Sequence, residues 1–195
     1  MPGPVAQFTR DEVLEAALEL IDGGGFSMRK LGDRLGISAM TLYGYVASKD
    51  EILEGVTLLA LAGIHTEPAP GAPWDEQVRS AVRELHTLCA QHPNLATLVV
   101  ACGAGAPGLF RVRERILGTL LGAGFDETTA LHALGVLSYY ALGFAGGQAG
   151  KTGVPATLPA DEFPNLTRVT GSYGEHASDA AFEFGLEMLL TGLRR

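Results

Sequence analysis

A chain of 195 residues with 47% hydrophobic side chains is long enough to bury a sizeable core, which excludes an intrinsically disordered protein. A net charge of −8, from 22 acidic against 14 basic side chains, excludes a protein that holds nucleic acid by bulk positive charge; two cysteines, Cys89 and Cys102, exclude a disulfide scaffold and are expected as reduced thiols. The opening MPGPVAQFTRDE has no basic stretch followed by an apolar run, so no secretory signal is read there and a cytoplasmic protein is expected.

Helical signals run the length of the chain, with no period-two strand and no internal repeat, so the expected class is all-α. Thr9 caps the first helix, Glu12 completes a capping box and Phe8 can staple onto Val13; Val13, Leu14, Ala17, Leu18 and Ile21 then share one face until Gly23-Gly24-Gly25 ends it. Ser27 caps a second, short helix to Leu35, Gly36 breaks it, and Ser38 caps a third to about Val46. Ser48 and Glu51 form another capping box that opens a fourth helix to about Ile64. Residues 65–73 hold three prolines and read as a hinge or loop. Further helices are expected at about 74–91, 94–103, 108–123, 127–148 and 178–194, with 150–177 a long loop rich in Gly, Pro and Thr. Residues 128–150 carry no Lys, Arg, Asp or Glu, a length that could cross a bilayer. His132, Ser138, Tyr139, Tyr140 and Gln148, and the lack of a flanking basic cluster, argue instead for a helix at a subunit interface. In the last helix Phe182, Gly185, Leu186, Leu189, Leu190 and Leu193 form one apolar stripe.

Residues 27–43 have the organisation of a helix-turn-helix: Leu31, Leu35, Ile37 and Leu42 make its small core, Gly36 allows the turn, and Ser38 starts a recognition helix. The pattern alone also fits an ordinary helical hairpin. Residues 1–55 hold five basic groups against nine acidic ones, yet Arg29, Lys30, Arg34 and Lys49 fall in the segments that would face DNA, while Asp11, Glu12, Glu15, Glu19 and Asp22 sit on the first helix. Segregation of sign matters more than the sum. Candidate catalytic groups are sparse. His86, Cys89 and His92 lie on one predicted helix, but only His86 and Cys89 share a face, so they are read as lining a cavity rather than holding a metal. No Ser/His/Asp arrangement, Gly-rich phosphate loop or HExxH is present, and an enzyme, a metal or a cofactor is not expected. Of Arg111, Arg113 and Arg115, residues at i and i+2 diverge, so at least one points inward or sideways, and Arg113 is taken as able to meet an anionic ligand.

Phe8-Thr9-Arg10, residues 14–20, Arg29-Lys30-Leu31, Leu35-Gly36-Ile37, Thr41-Leu42-Tyr43 and Ser48-Lys49 together resemble the DNA-binding domain of the tetracycline-repressor family over residues 8–56. More weakly, Trp74-Asp75, Gly124-Phe125 before residues 130–134, and residues 182–187 resemble the regulatory domain of the family's tetracycline-binding branch. The resemblance implies a DNA-binding domain over 1–56 with a connector helix at 48–64, and a ligand-binding and dimerisation domain over 65–195. It also implies a homodimer joined by a four-helix bundle of 127–148 and 178–194. Such a protein is a repressor of an inverted-repeat operator, released by a small organic inducer. Carried over residue by residue, Ser27, Thr41, Tyr43 and Lys49 contact phosphate, Arg29 reaches a base edge, and Met28 and Ser38 flank them. Ala39, Met40, Gly44 and Tyr45 depart from that branch in the base-reading stretch, and Ala or Met can touch a thymine methyl without reading bases by bidentate hydrogen bonds. Of the positions that hold tetracycline and its magnesium, only His65, followed by Thr66, is matched; the others fall at Ala81, Leu85, Val99, Ile116 and Gly147. The expected inducer is therefore mostly apolar and bound without metal, with His65, His86, Arg113 and His132 as polar anchors beside Leu85, Val99, Ile116, Leu117 and Leu131. The acidic N-terminal segment keeps open a helical small-molecule-binding or adaptor protein that has lost DNA binding.

Overall fold

The computed structural model describes residues 8–65, 68–101, 107–149, 159–171 and 178–194, and every regular element among them is helical. Thr9 opens α1 (Arg10–Asp22) through a reciprocal cap: its hydroxyl accepts the Glu12 amide at 3.2 Å and the Glu12 carboxylate accepts the Thr9 amide at 2.7 Å. α2 (Met28–Leu35), α3 (Ala39–Leu42) and α4 (Lys49–Ala62) each start at a serine whose Oγ accepts the amide three residues on. α3 is shorter than the sequence suggests. Beyond Leu42 the chain tightens, the Gly44 amide donating to the Thr41 carbonyl at 3.0 Å and the Tyr45 amide to the Leu42 carbonyl at 2.9 Å. Gly44 is a poor helix former, and the i to i+3 bonds make a turn of what was expected as helix.

The rest is α5 (Trp74–Gln91), α6 (Pro93–Ala101), a 3-10 turn (Pro107–Leu109) leading into α7 (Phe110–Gly122), then α8 (Glu127–Ala149), α9 (Pro164–Val169) and α10 (Asp179–Leu193). α9 corrects the reading of 150–177 as loop throughout. Pro164 occupies its first turn, where the missing N–H costs nothing. Residues 150–158 and 172–177 lie outside the described residues, as do Cys102 and the expected end of α6 at 103. No described helix is long and apolar enough to cross a membrane.

Packing divides the chain into two compact units, and differently from chain order: residues 91–114 belong with 1–66, and 67–90 with 115–195. In the first unit, Val13, Ala17 and Ile21 of α1, Leu31, Leu42 and Val46, and Ile52 and Val56 of α4 are buried. α6 packs on α1, and the 3-10 turn packs on α4. His92 Nδ1 sits 2.9 Å from the Asp22 carboxylate, and the Asn94 amide donates to the Asp22 carbonyl at 2.8 Å. Gly108 lets the turn close on α4: a Cβ there would lie 2.6 Å from the Thr57 side chain.

In the second unit, Val78, Val82 and Leu88 of α5, Leu120 of α7, Leu137 and Ala141 of α8, and Phe182, Leu186 and Leu190 of α10 form the core. Each buried leucine contributes roughly 1.5–3 kcal/mol. Trp74 meets Phe125 edge to face at 5.0 Å. The Tyr140 hydroxyl donates to the Phe182 carbonyl at 2.8 Å, and Gly185 leaves room for the ring. A belt of ion pairs ties α5 to α10: Arg83 to Glu183 at 2.6 Å, Arg79 to Glu183 and Glu187, and Asp75 to Arg194.

Candidate nucleic-acid interface and regulatory core

The helix-turn-helix is set by three short-range devices. Ser27 caps α2 against the Lys30 amide at 3.1 Å. Gly36 ends that helix at φ 68°, where a Cβ is disfavoured. Ser38 then accepts the Thr41 amide at 3.0 Å, and its hydroxyl lies 2.9 Å from that of Thr41. Leu31 and Leu42 are wholly buried and hold α2 and α3 in register. The opposite surface is left open. Arg29, Ser38, Ala39, Met40, Thr41, Tyr43, Gly44 and Lys49 are all exposed, whereas Ser27 and Met28 are half-buried. Tyr45 departs from the expected set: it is half-buried and its hydroxyl accepts the Phe8 amide at 3.3 Å, so it braces the entry to α1.

The charges sort accordingly. Arg10 pairs with Glu51 at 3.1 Å and Arg34 with Glu19, which neutralises two of the acids. The Glu51 carboxyl is held below its ordinary value by the Ala47 amide first and by Arg10 second. Among the described residues Arg29 and Lys49 are exposed, the first with Asp33 at 4.0 Å and the second with its ammonium 5.9 Å from the Phe26 ring centre. The Lys49 ammonium is thus anchored at the N-terminus of α4, beside amides that themselves attract anions.

The regulatory residues scatter more. His86 is buried and stacks on Phe182 at 3.9 Å, with Phe144 edge-on at 5.8 Å; Tyr140 stacks on the same Phe182 at 5.3 Å. Leu85 and Ile116 are buried and Leu117 half-buried in this second unit. His65 is exposed and Arg113 half-buried, both in the first unit. Val99 lies in α6, but its side chain is outside the described residues. Leu131 and His132 correct the expectation of a cavity lining: both are exposed on the outer side of α8, because Ala130, Ala133, Leu134 and Leu137 take the inward positions.

Sequence reasoning missed Glu84, and of the arginines it considered it took Arg113 rather than Arg115 as the one to meet a ligand. Glu84 is 4% exposed and pairs with Arg115, placing an ion pair inside the second unit. The signal was present: Glu84 stands three residues from Ala81 and four from Leu88, on the apolar stripe of α5. Of the three arginines considered, Arg115 makes this inward contact. His92 turns to Asp22 rather than to Cys89, whose thiol is pushed up to about 12 by burial. On the outside of the unit, Leu131, Val136 and Tyr139 of α8 and Phe184 and Met188 of α10 are exposed. A shallow hollow of about 350 Å³ opens on α10 between Phe184, Met188, Thr191 and Gly192.

Both parts of the chain resemble known proteins. Residues 13–56 match the family described as bacterial regulatory proteins, tetR family, and residues 67–195 match the tetracyclin repressor-like C-terminal domain. An HTH-type transcriptional regulator of Saccharopolyspora erythraea is 33% identical over 139 residues, 69% of this chain and 58% of that one. The class A tetracycline repressor of transposon 1721, from Escherichia coli, is 28% identical over 197 residues, 94% of this chain and 89% of that one. Among solved structures, apo ActR of Streptomyces coelicolor superposes with a TM-score of 0.77 at 31% identity, covering 97% of this chain and 96% of that one. ActR in complex with actinorhodin superposes at 0.74, with 30% identity over 95% and 96%. A helix-turn-helix at one end, a helical regulatory domain at the other, and two family matches that between them span most of the residues lead to one assignment: this chain belongs to the tetracycline-repressor family of bacterial transcriptional regulators.

Proposed function

We propose that the chain is a homodimeric repressor that binds an inverted-repeat operator through α3 and leaves it when an organic inducer enters the regulatory unit. The observation that carries this reading is the open face of the helix-turn-helix, where Arg29, Thr41, Tyr43 and Lys49 are exposed while their neighbours Leu31 and Leu42 are fully buried. A rigid base with a polar, solvent-facing edge is what a major groove admits. The exposed apolar side chains of α8 and α10, two helices that pack on each other, support dimerisation, since large apolar side chains grouped on a surface commonly mark an interface. Two α3 segments about 34–36 Å apart then meet successive major grooves.

The inducer site is assigned to the second unit, near Leu85, His86, Ile116 and Leu117, with the Glu84–Arg115 pair as its charged neighbour. The inducer is mostly apolar and aromatic, suited to the stack of His86, Phe182 and Phe144, and needs no magnesium. Release runs through residues 91–114. They pack on α1 at Asp22 and on α4 at Thr57, and α1 in turn packs on α2, which carries α3, so a shift of this segment reaches the recognition helix within the first unit. Gel shifts against the chain's own upstream region, titrated in salt, test the DNA half. A thermal-shift series of aromatic compounds with and without magnesium tests the other. Metal-independent stabilisation that also frees DNA is the expected result, and strong magnesium-dependent stabilisation by tetracycline overturns it.

One observation favours a second reading. Residues 1–55 are net acidic, which suits a helical ligand-binding or adaptor protein that has given up DNA. Absence of any salt-sensitive gel shift, together with retained ligand stabilisation, would select it.

A further inference from the structure

Base reading by this protein has unusual chemistry, an inference that rests on α3 entering the major groove. Residues 38–46 contain no charged side chain. The hydroxyls of Ser38 and Thr41 are engaged with each other at 2.9 Å, and that of Ser38 also takes the Thr41 amide. Tyr45 is held by Phe8, Leu42 and Val46 are core, and Gly44 has no side chain to offer. Met40 is what remains beside Ala39 and Tyr43. It is 84% exposed, on the first turn of α3, and is the most exposed of the large hydrophobic side chains described. An unbranched thioether is flexible enough to follow an irregular surface. The apolar feature that the major groove presents is the C5-methyl of thymine.

We propose that Met40 is a specificity-determining residue that reads thymine C5-methyl groups, so that each operator half-site is recognised partly by its methyl pattern. Arg29, whose side chain is 91% exposed on α2, supplies the hydrogen-bonding counterpart at a guanine.

The test uses the full-length chain. Selection from a random duplex library yields the preferred site, and each thymine of that site is then replaced singly by deoxyuridine, which removes the methyl and keeps every hydrogen-bonding group. Fluorescence anisotropy is expected to show one or two positions per half-site where the wild type loses about fourfold for each methyl removed. Met40→Ala should bind the thymine duplex more weakly and distinguish thymine from deoxyuridine nowhere, while Met40→Leu keeps the discrimination. Because the side chain is exposed, melting of both variants should match the wild type. A 5-methylcytosine·guanine pair at the sensitive position should recover part of the loss. Equal binding to all deoxyuridine duplexes, or full discrimination by Met40→Ala, would overturn the role of Met40 while leaving DNA binding intact. Failure to select any duplex would instead remove the DNA-binding reading and this proposal with it.

Discussion

At the scale of single residues, the proposed interface divides the polar edge of the helix-turn-helix into positions expected to hold phosphate and positions expected to read bases. Tyr43 and Lys49 carry a hydroxyl and an ammonium that suit phosphate, so Tyr43→Ala and Lys49→Ala should each weaken binding about equally on all sequences. Lys49→Ala should also lower the salt slope by about 1. Arg29→Ala should relax preference at one or two base positions, by about 1–3 kcal/mol of discrimination, as read from binding to single-substitution duplexes. Gly36 offers a cleaner stability test. At φ 68° with open space around it, Gly36→Ala clashes with nothing, and its cost is the left-handed backbone alone, about 1–2 kcal/mol in denaturant melts. Burial makes a chemical prediction for Cys89: with its thiol pushed up to about 12, iodoacetamide at pH 8 should alkylate the Cys89 peptide only after unfolding, as read by peptide mass spectrometry. The caps and the exposure of these side chains were largely legible in the sequence, because caps and exposed charges act over three or four residues. Tyr45 was not, since its partner is Phe8, 37 residues away.

Elements raise a different question, namely what fixes α10 against α5. The apolar stripe supplies most of the energy and the ion-pair belt sets the register. Arg83 holds Glu183 below its ordinary 4.5 chiefly by hydrogen bonding, Arg79 does the same for Glu187, and Arg194 lowers Asp75 from its ordinary 3.8. A carboxylate with a depressed value in the folded state stabilises that state above its unfolded value, and the contribution fades as pH falls through the folded one. Acid should therefore loosen this belt below about pH 4.5. Glu183→Gln should melt lower than the wild type at pH 7, by an amount near the ~0.2–1 kcal/mol of an exposed pair, and the difference should close as pH drops below about 4. A gap that widens in acid would refute the assignment. The existence of α10 was plain from its stripe, and so was α5. α9 was hidden by composition: a proline that opens a helix looks, in a stretch rich in Gly, Pro and Thr, like one that forbids it.

For the molecule as a whole, assembly is the first consequence. Tyr139 and Phe184 are 78% and 70% exposed on α8 and α10, and Phe184→Glu with Met188→Glu should give a monomer by light scattering that also loses operator affinity. The class of fold could be read from helical periodicity, because a helix announces itself within its own residues. The partition into units could not. Whether 91–114 packs with the helices before it or with those after it depends on Asp22 meeting His92 and on Thr57 meeting Gly108, contacts between residues 70 and 51 positions apart that no local pattern encodes.

That partition bears on modularity. A recombination junction placed at residue 66, between the two family matches, separates α1 and α4 from the segment that covers them. Residues 1–66 expressed alone should exchange their α4 amides with solvent faster than the same residues in the full chain, as hydrogen-exchange mass spectrometry would record. A hybrid carrying a foreign helix-turn-helix should bind its new operator yet respond poorly to inducer unless Asp22 and Thr57 travel with it. In this protein the unit of exchange is therefore discontinuous in the gene, and recombination that respects only chain order would yield regulators that repress without listening.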